Sequence, residues 1–339
     1  MRQTIFIFCF FALMQPLFAE KKDWLIDGSS YKAEVNLSPD KKQVELTNGL
    51  LRRIFSLTPN GATIALDNLM TGQNELRAVR PEAVLVINGK EYPIGGLAGQ
   101  PVHNFLTKDM LSDMQLCDSA FVLTDYEIDE TKEHFPWKPN ESWISNKYSW
   151  PAPGKRVTFT YKAPRKIADE CKGLTVRIVY ELYDGAPILS KWIKIENNGQ
   201  KAVTLDSFKS EVLALVETAP KVHYGEPHEV RMMAQEPGHY TKDYRKKPVQ
   251  TDAPRDYIDR FTQLFVVTDY AMGGDMEAMK DNPAVRWVFD HPEYEFTGIR
   301  YYGQYKPARL EVTPLLGPAE KIAVGESFTS YRTFEMLRD

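Results

Sequence analysis

The sequence predicts an all-β protein, an antiparallel sandwich with few short helices. Three observations carry that prediction. Short runs rich in Val, Ile, Thr and aromatic residues recur along the chain, and Gly, Pro and Asn punctuate them. Three Asn-Gly pairs, Asn48-Gly49, Asn60-Gly61 and Asn88-Gly89, fall between apolar runs, where both residues tolerate the positive φ of primed hairpin turns. Helical periodicity sustained over three turns is almost absent, so βαβ units are not expected.

In chain order, the first strands are read at Lys32 to Leu37 and Gln43 to Leu46. Leu50 to Leu57, an apolar run bearing two arginines, and Ala62 to Asn68 complete an opening meander. Ala83 to Ile87 and Lys90 to Ile94 flank the third Asn-Gly. Further strands are expected at Ala120 to Tyr126, Arg156 to Tyr161, Leu174 to Tyr183 and Leu189 to Glu196, with turns at Asp184-Gly185 and Asn197-Asn198-Gly199. Val203 to Leu215, Gln263 to Thr268, Val285 to Phe289, Ala308 to Thr313 and Ser327 to Leu337 follow. Short helices are placed at Asn104 to Met114 and Gly273 to Met279. Two stretches, about 131–155 and 220–257, are too long for hairpin loops, and long loops on a rigid sheet scaffold are where binding concentrates.

The totals narrow the function. The 339 residues are 43% hydrophobic and 26% charged, which supports a large core. A net charge of -4 with scattered lysines and arginines gives no basis for nucleic-acid binding. Met1-Arg2, the apolar run from Ile5 to Phe18 and the small Ala19 read as a signal peptide over 1–19, which leaves 20–339 as one domain and places the protein outside the cytoplasm, in the periplasm, at the cell surface or secreted. The run is too short for a membrane span and is broken by Pro16. Cys117 and Cys171 remain after cleavage. Two cysteines make no framework, so their pairing stays open.

The stretch His134 to Lys155, HFPWKPNESWISNKYSWPAPGK, is the chief binding candidate. Trp137, Trp143, Tyr148 and Trp150 offer rings to cover the apolar face of a pyranose, with Asn140, Glu141 and Asn146 to bond its hydroxyls. In the alternative reading the same rings pin an irregular loop to the sandwich. His223, Glu226, His228 and Glu229, and the run Asp290 to Glu295, gather histidines and carboxylates. They match no metal-ligand spacing, and solvated loop charge explains them equally. No nucleophile elbow, phosphate loop or dinucleotide fingerprint occurs, and no cofactor or metal is implied.

The stretches LTNGLLRRIFSLTPNGATIALDNLMTG and LRAVRPEAVLVINGKEYPIGGLAGQP, with the later YELYDGAPILSKWIKIEN, SEVLALVE and GESFTSYRTFEMLRD, resemble the N-terminal domain of bacterial alpha-galactosidase-like (melibiase) proteins of glycoside hydrolase family 36. The likeness runs from about Val44 to the end. It implies a β-supersandwich related to galactose mutarotase-like folds, packed ahead of a (β/α)₈ barrel that carries both catalytic aspartates. A barrel needs roughly 200 residues or more, and none fits within this sequence. The catalytic pair therefore has no counterpart here and catalytic residues stay unassigned.

The expectation is a non-catalytic, carbohydrate-related module of a polysaccharide-degrading protein. Its partners would be a glycan or galactoside and either a catalytic barrel or a second copy. The alternatives are a stand-alone sandwich glycosidase, lyase or epimerase using Glu and His, and a structural component of a glycan-degrading complex.

Overall fold

A computed structural model describes residues 23–100, 106–138, 140, 142, 149–164, 166–167, 169–215, 264–269, 284–289, 308–314 and 316–338. The signal segment, the 220–257 loop and the Gly273 to Met279 helix lie outside these residues.

The all-β expectation is borne out. The strands pair antiparallel into stacked sheets, and the described residues contain a single α-helix, Lys108–Asp113, with Thr107 as its N-cap. Five strands from Glu34–Leu37 to Gln73–Asn74 form the first sheet in sequence order. A seven-stranded sheet holds the long strands Val122–Glu130, Gly154–Lys162, Leu174–Tyr183 and Ile188–Asn197, followed by Thr333–Leu337 and Leu264–Thr268, with Ser327–Thr329 alongside. Among the described residues there are also two four-stranded sheets, one around Val203–Lys209 and Ala83–Ile87, the other around Glu211–Leu215 and Ala308–Val312, and a two-stranded pair of Leu97–Ala98 with Gln115–Leu116.

The first and the seven-stranded sheets face each other across the core. Phe55 of the first sheet meets Phe159 and Tyr180 of the second, with ring centroids 4.8 and 4.7 Å apart. This is face-to-face sandwich packing, with alternate residues of each strand turned inward. Each fully buried Phe of this kind contributes about 1.5–3 kcal/mol from burial alone.

The turns divide into two kinds. Asn88 and Gly89 both have positive φ (50° and 77°), and Ala83–Ile87 pairs in register with Lys90–Ile94, as a primed hairpin requires. At the first pair only Gly49 is left-handed. Asn48 is buried, its Oδ1 accepting from the Leu50 and Leu51 amides and its Nδ2 donating to the Tyr183 and Ala186 carbonyls. At Asn60-Gly61 the flanking strands pair antiparallel as expected, but neither residue has the positive φ of a primed turn. Asn60 is buried and bonded to the Phe121 carbonyl and the Leu123 amide. Gly61 is there for close approach, because a Cβ would lie 2.4 Å from the Tyr161 hydroxyl.

Two predicted strands are each two strands. Val203 to Leu215 breaks at Ser210. The first half pairs with Ala83–Ile87, and the second with Ala308–Val312. Ser327 to Leu337 breaks between Thr329 and Thr333. The break at Ser210 matters chemically, because it turns Glu211 into the core.

Candidate functional site

Two clusters of buried charge lie on opposite faces of the same strands. The inner cluster gathers Arg53, Glu82, Lys191, Glu211 and Glu335 with Tyr180, all buried. Arg53 Nε donates to Thr63 Oγ1 at 3.0 Å, and its Nη1 donates to Glu211 Oε2 at 3.2 Å and Glu335 Oε2 at 3.1 Å. Its guanidinium carbon lies 4.7 Å from the centre of the Tyr180 ring. Lys191 Nζ donates to Glu211 Oε1 at 2.9 Å, and the Tyr180 hydroxyl donates to Glu82.

Three acids face two cations, and the environment resolves the mismatch. Burial, then the adjacent charge of Glu211, hold the Glu335 carboxyl well above the usual range, so it keeps its proton and bonds Glu211. Burial opposes ionisation of Glu211 as well. There the Arg53 and Lys191 charges win and push its pKa well down. Glu82 and Glu211 then stand against Arg53 and Lys191. Such a network is a structural tie. Its groups are sealed and partnered, and removing one leaves a buried charge exposed to the core.

The outer cluster arises from strand alternation. Tyr180, Lys191 and Glu335 point inward, so Glu181, Ser190 and Phe334 point outward. These outward residues lie in one register row across the seven-stranded sheet, Arg156 opposite Glu181, Glu181 opposite Ser190 and Ser190 opposite Phe334. Glu181 is 1% exposed and is the centre of this row. Its Oε1 accepts from Arg156 Nε at 2.8 Å, from Arg156 Nη2 at 2.5 Å and from the Lys132 amide at 3.2 Å. Its Oε2 accepts from Tyr183 at 3.2 Å and meets His134 Nε2 at 3.1 Å. Burial raises its pKa, but the bonds from His134 and Arg156 more than offset this and hold the carboxyl below its ordinary value. The Tyr183 phenol, buried beside that carboxylate, is pushed up to about 12 and stays a donor.

Above this row lies a cavity of about 460 Å³. Phe135, Trp150 and Phe334 supply its aromatic surface, and Glu181, Tyr183 and Arg332 its polar groups. Trp150 packs 4.9 Å from Phe135 and 5.5 Å from Trp137 between ring centroids. Its Nε1 donates to the Phe135 carbonyl at 3.0 Å and to Glu133 Oε1 at 3.2 Å. Trp192, 6% exposed, is packed between His134, edge-on at 4.6 Å, and the Arg156 guanidinium at 5.3 Å.

Of the four rings singled out from sequence, Trp150 lines this cavity and Trp137 packs against Trp150. Trp143 and Tyr148 lie outside the described residues, as do Glu141, Asn146, the 223–229 motif and the 290–295 run. Asn140 Oδ1 accepts from Ser142, a local turn contact. Sequence reading missed Glu181, Arg156, Tyr183 and Arg332. The only signal was charge inside apolar strands, and cross-strand register is invisible without the fold. Among the described residues no group of three His, Cys, Asp or Glu is placed to hold a metal ion. Cys117 and Cys171 are not joined in a disulfide. No described helix is long and apolar enough to cross a membrane.

No protein-family profile matches the chain, and no curated protein matches it. Among solved structures its fold is similar to the galactosidase domain of the alpha-galactosidase-sucrose kinase AgaSK, at 10% identity and a TM-score of 0.41, over 90% of this chain and 42% of that one. An alpha-galactosidase from Lactobacillus brevis is similar at 9% identity and a TM-score of 0.42, over 90% and 40%. The GH36 alpha-galactosidase AgaA from Geobacillus stearothermophilus is similar at 11% and 0.40, over 88% and 41%. The chain spans less than half the length of each. At these identities and TM-scores the likeness carries nothing about activity or substrate.

Proposed function

We propose that this chain is a carbohydrate-related module, a β-sandwich of the alpha-galactosidase-like kind that holds a sugar ring at the outer face of its seven-stranded sheet. The observation that carries the reading is the aromatic wall of the cavity, made by Phe135, Trp150 and Phe334 beside the fixed polar groups of Glu181 and Tyr183. A pyranose presents an apolar C–H face to such rings, and the hydrogen-bonded pair of Glu181 and Tyr183 fixes the wall on which it stacks. Glu181 supports binding rather than bond breaking. Five donors occupy its oxygens and its pKa is depressed, so it offers neither a proton nor an unengaged base.

In this reading the sugar is a galactoside, the protein is exported through residues 1–19, and a catalytic barrel or a second copy completes the assembly. Calorimetric titration with galactosides tests the site. Trp150→Ala is expected to weaken binding about tenfold, the loss of one stacking surface, with Trp137→Ala smaller. A purified protein that binds no neutral or acidic sugar would end the proposal. A Trp150→Ala variant that mainly unfolds would assign the ring to stapling the loop.

A further inference from the structure

Arg332 lines the same cavity and is unlike the other cations there. Its backbone amide and its Nε are both taken by Asp269, at 2.6 Å to Oδ1 and 2.8 Å to Oδ2, which fixes the plane of the guanidinium. The group sits 5.0 Å from the Phe334 ring centre and 6.0 Å from that of Phe135. Its side chain is 15% exposed. Neither terminal amino group makes a hydrogen bond among the described residues. Arg156, by contrast, is spent on Glu181. Glu181 is in turn saturated by its five donors, so it offers a ligand no free lone pair. The second cation at the cavity, Lys132, pairs with Asp129 at the exposed rim.

A fixed guanidinium with both Nη groups unengaged, set between aromatic rings, matches the two oxygens of a carboxylate, which it binds through two parallel N–H···O bonds. Neutral hydroxyls satisfy the same donors less strongly. Asp269 offsets the charge of Arg332, yet it lies on the more exposed side of the pair, with its side chain 39% exposed. Its two oxygens are committed to the Arg332 amide and Nε, which leaves the far edge of the fork to a ligand.

We infer that the cavity takes an acidic sugar, a uronic acid whose ring lies against Trp150 and Phe135 and whose carboxylate is held by Arg332. This rests on the sugar-binding reading above and names the class of sugar.

The test is a pair of calorimetric titrations on the full chain, one with a galacturonic acid disaccharide and one with its neutral galactose counterpart. The acid is expected to bind about tenfold tighter, the difference between charge-assisted and neutral hydrogen bonds. Added salt should weaken the acid alone. Arg332→Gln is expected to erase the preference, weakening the acid about tenfold more than the neutral sugar. Arg332→Lys keeps the charge but loses the fork, and should recover only part of it. Melting curves of both variants guard against misfolding. Equal binding of the two sugars, or a preference that survives Arg332→Gln in a folded variant, would overturn the inference and leave the sugar-binding reading standing. Binding of neither sugar would overturn both.

Discussion

Two clusters of nearly the same composition grow from neighbouring residues of the same strands. Tyr180, Lys191 and Glu335 turn inward to Arg53, while Glu181, Ser190 and Phe334 turn outward to Arg156. Each cluster has a carboxylate, an arginine over an aromatic ring and a tyrosine hydroxyl. They differ in access and in proton count. The inner one is sealed, has one acid too many and keeps a proton to balance. The outer one has a single acid, an excess of donors, and a cavity above it. The same residue types therefore make a tie in one place and a site in the other, and the deciding variables are exposure and spare hydrogen-bonding capacity.

The largest expected effect sharpens the first half of that contrast. Arg53→Met leaves Glu211 buried with one cation fewer and should cost about 3–5 kcal/mol in urea unfolding. A cost near zero would mean that the inner network is not sealed. Glu75, outside both clusters, is an internal control. Burial, then its neighbour Asp67, push it up to about 7, and one of its buried oxygens has no partner. A raised pKa contributes stability below the unfolded value of 4.5 and loses it as pH climbs to about 7. Glu75→Gln should therefore gain on the order of 3 kcal/mol near pH 8 and nothing near pH 4.

Glu181→Gln should cost about 1–3 kcal/mol at neutral pH. It should also loosen the cavity wall, read as quenching of Trp150 and Trp192 fluorescence. The two clusters must also respond to pH with opposite sign. Glu181 has a lowered pKa, so its stabilisation is present above 4.5 and fades as acid is added. Glu335 has a raised one, so its stabilisation is present below 4.5 and fades as pH rises. Glu181→Gln should flatten the acid side of the stability curve. Glu335→Gln, which keeps an N–H donor toward Glu211, should flatten the other side and change stability by less than about 1 kcal/mol below pH 4.5. Matching slopes in both variants would erase the distinction between the faces.

Most of the strand framework was legible in the sequence because alternation and turn chemistry are local. Ala62–Asn68, Ala83–Ile87, Lys90–Ile94 and Leu174–Tyr183 begin and end where the residues indicate. The failures have tertiary causes. Asn60-Gly61 has hairpin chemistry, but the Asn60 amide is needed by Phe121 and Leu123 and the glycine by Tyr161. Ser210 breaks an apolar run because its amide bonds Val312 and its hydroxyl Thr333, far along the chain. The site was half legible. The loop rings Trp137 and Trp150 stood out by composition. Glu181 and Arg332 did not, because within YELYDG and SYRTFEM nothing local separates an outward acid or arginine from an ordinary surface charge. Nor did the adjacent Arg52 and Arg53 reveal that the first pairs with Asp67 while only the second enters the core.

The partner of Arg53 at Glu335 lies 282 residues further along the chain. At a synthesis rate of about 5–20 residues per second, the ribosome works for roughly a quarter of a minute to a minute between the two. Throughout that interval the nascent polypeptide carries an arginine at the heart of its future interior with no acid from the strand Thr333–Leu337 to meet it. The front sheet can assemble early, but it cannot shut. Vulnerability to proteases and demand for chaperones should fall together, late, when the strand bearing Glu335 threads into place.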